Sequence, residues 1–204
     1  MKRILFSILC TIAACTVQAQ SYEFITFEST TGSEVIKAVG TVITFVDGNL
    51  VAKNDAKEIV WMGSPSTTKH FKLVDKALGR LSEKYDFTLK VIGGKVELDK
   101  RIKTKFEDWS AQTENKDLAE STIGIMPLEN SYWEMGKCGF KLIQYMASGI
   151  PVVASPLPAN RDIVTSDVGF TAESEDEWYE KLSLLLESFE LCQKMGQAGR
   201  KRAE

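Results

Sequence analysis

Histidine is nearly absent from this chain of 204 residues: there is one, His70. Cysteine is scarce too, and of its four residues Cys10 and Cys15 fall within an amino-terminal apolar stretch. The remaining pair, Cys138 and Cys192, lie far apart with no metal-type spacing, which removes a soft-ligand site from consideration. A disulfide between them is conceivable in an oxidising compartment, but two unrelated free thiols is the simpler reading. No sign of charge dominates, since 25 Lys and Arg face 28 Asp and Glu for a formal net charge of -3. That balance excludes wholesale nucleic-acid binding, which requires a basic stripe. The only basic cluster, Arg200-Lys201-Arg202, reads as a solvated helix end. Internal repeats and low-complexity tracts are also missing. What is present is ordinary for a protein with a real core: 44% hydrophobic and 26% charged residues, in a length suited to one domain or two small ones.

The first residues have the layout of an export signal. Lys2 and Arg3 precede an apolar run from Ile4 to Ala14, and Val17-Gln18-Ala19 supplies small residues at cleavage-type positions. The run is too short to span a bilayer as a stable helix. Cleavage after Ala19 fits best. A lipoprotein signal, with Ile12-Ala13-Ala14 before Cys15, is the alternative. Residues 1–19 are thus read as a signal peptide and the chain as exported.

Residues 20–55 read as a small β segment. Tyr22, Phe24, Ile25 and Phe27 form a branched and aromatic run, and Thr31-Gly32-Ser33 a turn. Val42 to Val46 then meets Asp47-Gly48-Asn49, with Leu50 and Val51 beyond, the strongest short hairpin signal available. The polar stretch Asn54 to Glu58 suits a boundary.

From residue 58 to 204 the pattern becomes alternating strands and helices. Short apolar runs at Ile59–Met62, Phe87–Ile92, Ile123–Met126 and Pro151–Ala154 end at glycine, proline or polar residues and read as buried strands. A further strand is expected between Val96 and Trp109, and another at Val168-Gly169-Phe170. Helices are expected at Pro65–Tyr85, Asp117–Glu120, Phe140–Met146 and Ser174–Phe189, with a last one reaching the end. Such alternation predicts an α/β fold whose Rossmann-like parallel sheet is covered on both faces, preceded by the hairpin segment.

Ligands of such sheets bind at the carboxyl ends of the strands. Two loops there have suitable residues. In the first, Gly63 permits close backbone approach, Ser64 follows it, Ser66 or Thr67 is placed to cap the helix, and Lys69 adds charge; exposed N–H groups at a positive helix end suit phosphate. It is not a Walker loop, because the Gly-Lys-Ser ending is missing. In the second, Gly136 and Gly139 free the backbone at the mouth of a helix, and Lys137 and Lys141 bring positive charge. Gln144, about one turn further, offers a donor and an acceptor to a hydroxyl. Other features read blandly. His70 falls inside a helix, Trp109 and Trp178 look like packing residues, and Glu173 to Glu177 is a helix start.

The run from Gly139 through Phe140, Lys141 and Gln144 to Ser155 resembles the donor-binding signature of the GT-B glycosyltransferases, in the large group called family 4 or group 1. Gly63-Ser64, Ile123–Leu128, Asn160–Val164 and Gly169-Phe170 match in the same order. The resemblance implies the carboxyl half of a GT-B fold that binds a nucleotide diphosphate sugar for transfer to an unknown glycan or lipid-linked acceptor. It places Gly63, Ser64, Thr67 and Lys69 near the diphosphate, and Glu134, Lys137, Gly139, Phe140, Lys141 and Gln144 around sugar, phosphate and ribose. It implies no cofactor and no metal, in keeping with the lack of an Asp-x-Asp motif. Catalytic residues are not assigned by it. Relatives carry a Glu-x7-Glu pair where this chain has Gly136 and Gln144, so neither acid has a counterpart in place. An acceptor-binding domain is expected to be missing. The alternative is a non-catalytic secreted β protein, or a composite gene product that would be cytoplasmic, whose carboxyl domain binds only nucleotide or merely packs. The amino-terminal segment loosely resembles β modules that follow signal peptides in secreted bacterial proteins.

Overall fold

The computed structural model describes residues 42–46, 49–53 and 57–204, and side chains from residue 57 onward. The chain divides into two compact units, Met1–Asn54 and Asp55–Glu204. In the first, strands β1 (Val42–Val46) and β2 (Asn49–Lys53) pair antiparallel with Val46 opposite Asn49, the register the Asp47-Gly48 signal predicts. The signal peptide and the Tyr22–Phe27 run lie outside the described residues.

The second unit is the expected α/β fold. Six parallel strands, β3 (Lys57–Met62), β4 (Phe87–Ile92), β5 (Thr104–Glu107), β6 (Ile123–Met126), β7 (Val152–Ala154) and β8 (Gly169–Thr171), lie in the order β5-β4-β3-β6-β7-β8. Chain order runs outward from β3 to one edge, then returns to the centre and runs to the other. The reversal between β3 and β6 is a topological switch point, the place where sheets of this kind bind their ligands, beyond the carboxyl ends of the strands. β3 and β4 are in register along six residue pairs, whereas β3 and β6 share two, Ile59 with Ile123 and Val60 with Gly124.

Period-two alternation splits the core between the sheet's faces. Ile59 and Trp61 of β3 join one buried cluster with Phe71, Leu78, Trp178 and Leu182; Val60 and Met62 join another with Leu142 and Tyr145. Helices α1 (Asp75–Lys84) and α6 (Glu175–Glu187) contribute to the first and α4 (Phe140–Ala147) to the second, while α7 (Phe189–Ala203) gives Cys192 and Met195 to the first and rests Ala198 and Ala203 against the second. Trp178 is fully buried, as a packing residue should be, and the acidic run opens α6 with a capping box between Ser174 and Glu177. Cys138 and Cys192 are not joined by a disulfide; the first is exposed and the second is buried, its thiol directed to the Leu185 carbonyl. Among the described residues no helix is long and apolar enough to cross a membrane.

Several elements differ from expectation. Pro65–Tyr85 is not one helix but a 3-10 segment, Pro65–Leu73, followed by α1. The hydroxyls of Thr67 and Thr68 donate to the carbonyls of Ser64 and Pro65, three residues back, at 2.8 Å each. They occupy acceptors that α-helical N–H groups further along would use. Capping by Ser66 or Thr67 is accordingly corrected: Ser64 holds the N-cap position and makes no side-chain cap bond. Helix α2 (Glu114–Ala119) begins earlier than Asp117, and α3 (Tyr132–Met135) interrupts what the sequence presents as a loop. The Asn160–Val164 turn belongs to α5 (Pro158–Ile163).

Candidate functional site

The loops that leave β3 and β6 meet across the switch point through side chains. His70, in the 3-10 segment, and Glu134, in α3, are almost fully enclosed, and His70 Nε2 lies 3.0 Å from Glu134 Oε1. The Glu129 backbone N–H donates to His70 Nδ1 at 3.4 Å, which leaves the ring proton on Nε2 to be donated to the carboxylate. Burial lowers the His70 pKa, the neighbouring Lys137 and Lys69 push the same way, and the opposing pull of Glu134 does not reverse it. The imidazole is therefore a neutral donor. Burial also pushes the Glu134 carboxyl up, but the Lys137 hydrogen bond and charge, with those of His70, outweigh it and hold it below the usual range. Lys137 pairs with Oε2 of this carboxylate, and the half-exposed Lys69 stands 3.8 Å from Oε1.

Lys141 is placed differently. It rises from the first turn of α4, and its ammonium lies 5.1 Å from the centre of the Trp61 ring. Among the described residues no carboxylate pairs with it. Burial, and then repulsion from Lys137, bring its pKa down to about 8, with only partial relief from Glu134. The space around this cation depends on Gly63, where a Cβ would stand 2.7 Å from Lys141 Nζ and 2.5 Å from the indole of Trp61. At the head of α4, Gly139 has φ of 70°, a left-handed conformation that L side chains rarely adopt. Phe140, the next residue, is exposed, as are Tyr132 and Trp133 of α3.

Gln144 turns to a different partner. Its Nε2 donates to Oε1 of Glu114 at the start of α2, and Trp109 Nε1 donates to Oε2 of the same carboxylate. Trp109 is 54% exposed, which corrects its reading as a packing residue: it is held by a polar contact at the sheet edge.

The structure thus brings Gly63, Lys69, Glu134, Lys137 and Lys141 together beyond the carboxyl ends of β3 and β6 and puts Gln144 beside Glu114. Ser64 bonds to Ser66 at 2.9 Å and Thr67 turns its hydroxyl back to Ser64, so both shape the loop locally. Sequence reasoning passed over His70, Trp61 and Glu114. His70 and Glu134 are 64 residues apart, and only the strand order makes them neighbours. The arrangement offers two cations, one anchored on a buried carboxylate and one unpaired, to a multiply charged anion entering from the carboxyl edge.

The model of the family described as Glycosyl transferases group 1 matches residues 33–188. No curated protein sequence matches the chain. Solved structures do. The carboxyl-terminal domain of LpcC, a glycosyl transferase group 1 family protein from Francisella tularensis, is 18% identical with a TM-score of 0.56, over 72% of this chain and 83% of that one. TarM from S. aureus, solved with fondaparinux, alpha-GlcNAc-glycerol and UDP, is 18% identical with a TM-score of 0.58, over 74% of this chain and 34% of that one. HepE from Anabaena, solved with UDP and glucose, is 15% identical with a TM-score of 0.57, over 72% and 43%. At these identities the likeness concerns the fold. The chain spans between a third and a half of the length of TarM and HepE.

Proposed function

Because the chain belongs to the Glycosyl transferases group 1 family, we propose that its second unit is the donor half of a glycosyltransferase, binding a nucleotide diphosphate sugar beyond the carboxyl ends of β3 and β6. The observation that carries this is Lys141: a partly buried ammonium with no carboxylate partner among the described residues, four residues after Lys137, and lodged against Gly63 and the Trp61 ring where a side chain at position 63 would displace it. A buried cation is costly unless an anion neutralises it. The diphosphate would lie between Lys137, Lys141 and the amino-terminal end of α4, whose dipole favours negative charge, so that the leaving diphosphate is stabilised without a metal. Glu134, fixed by His70 and Lys137, would accept hydroxyls of the sugar. UDP in the TarM and HepE structures supports a nucleoside diphosphate as the ligand class. Transfer requires an acceptor-binding half as well, and the glycan or lipid-linked acceptor would be held there. Export, read from residues 1–19, belongs to the same proposal. A mature amino terminus at Gln20 in an extracytoplasmic fraction supports it, and an intact Met1 in the cytoplasm overturns it.

Calorimetric titration with UDP and GDP tests the site. Binding that disappears in a Lys137→Ala, Lys141→Ala double variant is the expected result. A folded wild-type protein that binds neither nucleotide would leave only the shared fold.

A further inference from the structure

Lys141 differs from the other lysines of the second unit in what surrounds its nitrogen. Lys72, Lys84, Lys103 and Lys137 each pair with a carboxylate, whereas among the described residues Lys141 has none. Its ammonium lies instead 5.1 Å from the centre of the Trp61 ring, an indole that is itself buried. The Gly63 backbone crowds the same nitrogen, since an added Cβ there would stand 2.7 Å from it. The residue as a whole is half-buried, so solutes can reach it. Nearby, Lys137 and Lys69 stand over the single carboxylate of Glu134, and His70 beside them is neutral. Three cations thus face one anion.

An amine packed against apolar surface and next to another cation gives up its proton more readily and becomes a nucleophile. Burial, then repulsion from Lys137, bring Lys141 down to about 8. At about pH 7.5 roughly a quarter of it is neutral, against roughly a thousandth of a solvated lysine. Lower basicity takes back about tenfold of that gain, on a Brønsted slope like that of thiols. The neighbouring cations also select the reagent. Lys137 and Lys69 attract a small dianion, and one whose phosphate is bonded to a carbonyl would present that carbonyl to Lys141. We propose that Lys141 is an acylation site for acyl phosphates, and that its acylation switches the donor site off. The neutral amine attacks the carbonyl carbon and a C–N bond forms. The bond from that carbon to the bridging oxygen breaks, inorganic phosphate leaves with the electron pair, and the amine proton passes to water. The resulting amide is uncharged, and its acyl group is added where one extra carbon on Gly63 already has no room. The modification follows from the surroundings of Lys141; its effect on nucleotide binding rests on the donor reading above.

The test is incubation of the full chain with acetyl phosphate, folded and in urea, with acetylation at each lysine followed by peptide mass spectrometry. In the folded chain Lys141 should react about tenfold faster or more than the exposed Lys76, Lys95 and Lys100, and urea should erase the difference. Its preference for acetyl phosphate over the phosphate-free reagent N-hydroxysuccinimidyl acetate should fall in Lys137→Ala, a variant checked by circular dichroism and urea unfolding. UDP should protect Lys141, and the chain acetylated there should bind UDP at least about tenfold more weakly in calorimetric titration. Lys141 that reacts no faster than the three exposed lysines, or a difference that survives urea, overturns the proposal, and UDP binding by the untreated chain would then still uphold the donor reading. A reagent preference unchanged in Lys137→Ala overturns the selection of acyl phosphates. Selective acetylation that UDP does not block, in a chain that binds no UDP, upholds the modification and overturns both the switch and the donor reading.

Discussion

Burial holds the Lys141 ammonium at about 8, against 10.5 for a solvated lysine. Between those values the unfolded chain binds more protons than the folded one, so this residue makes stability rise with pH across that window. Its cost is complete below about pH 8 and relieved above the unfolded value; at about 1.4 kcal/mol per unit it amounts to roughly 3 kcal/mol. Lys141→Met is therefore expected to raise the urea midpoint at neutral pH, and to flatten the rise of stability with pH. Ligand affinity runs the other way. A diphosphate needs the cation, so titration should give weaker UDP binding at about pH 9 than at neutral pH. His70 offers a separate test. Replacing it by alanine leaves the buried Glu134 carboxylate without its neutral donor, at a cost of about 2–3 kcal/mol in urea unfolding. His70→Asn, which keeps a donor, should recover part of that loss.

At the scale of elements, α4 is bolted to the end of β3. The Tyr145 hydroxyl accepts from the Met62 backbone N–H at 2.9 Å, in full burial. Tyr145→Phe orphans that N–H, and a loss of about 1–3 kcal/mol is expected in denaturant titration, with weaker UDP binding because Lys141 rides on the same helix. The strands β3, β4 and β6 were legible in the sequence because each is a short apolar run closed by Gly63, Gly93 or Pro127. So was α4, with Gly139 before it and Gly149 after. The 3-10 segment was not, since Thr67 and Thr68 choose between helix types by where their hydroxyls turn. Helix α3 has four residues, too few to show a period. The lysines at 137 and 141 could be picked out by charge beside glycine. The partners of the site, His70 for Glu134 and Glu114 for Gln144, could not, because contacts across 64 and 30 residues depend on sheet order.

For the molecule as a whole, any ligand that binds only the folded state raises its stability by mass action. UDP at a hundredfold excess over its dissociation constant is worth about 2.7 kcal/mol. In a chain of this size that corresponds to a rise in Tm of roughly 5–10 °C. Scanning calorimetry should show the rise in wild type and none in the Lys137→Ala, Lys141→Ala double variant. The two-pair ladder between β3 and β6 is the shortest in the six-stranded sheet. It is a seam, and the proposed donor site lies beyond its carboxyl end. A polyanion gripped from both banks would act as a stitch across the place where the sheet is most easily parted. Bound nucleotide should then slow amide hydrogen exchange most at Ile59, Val60, Ile123 and Gly124, beneath the ligand rather than in contact with it.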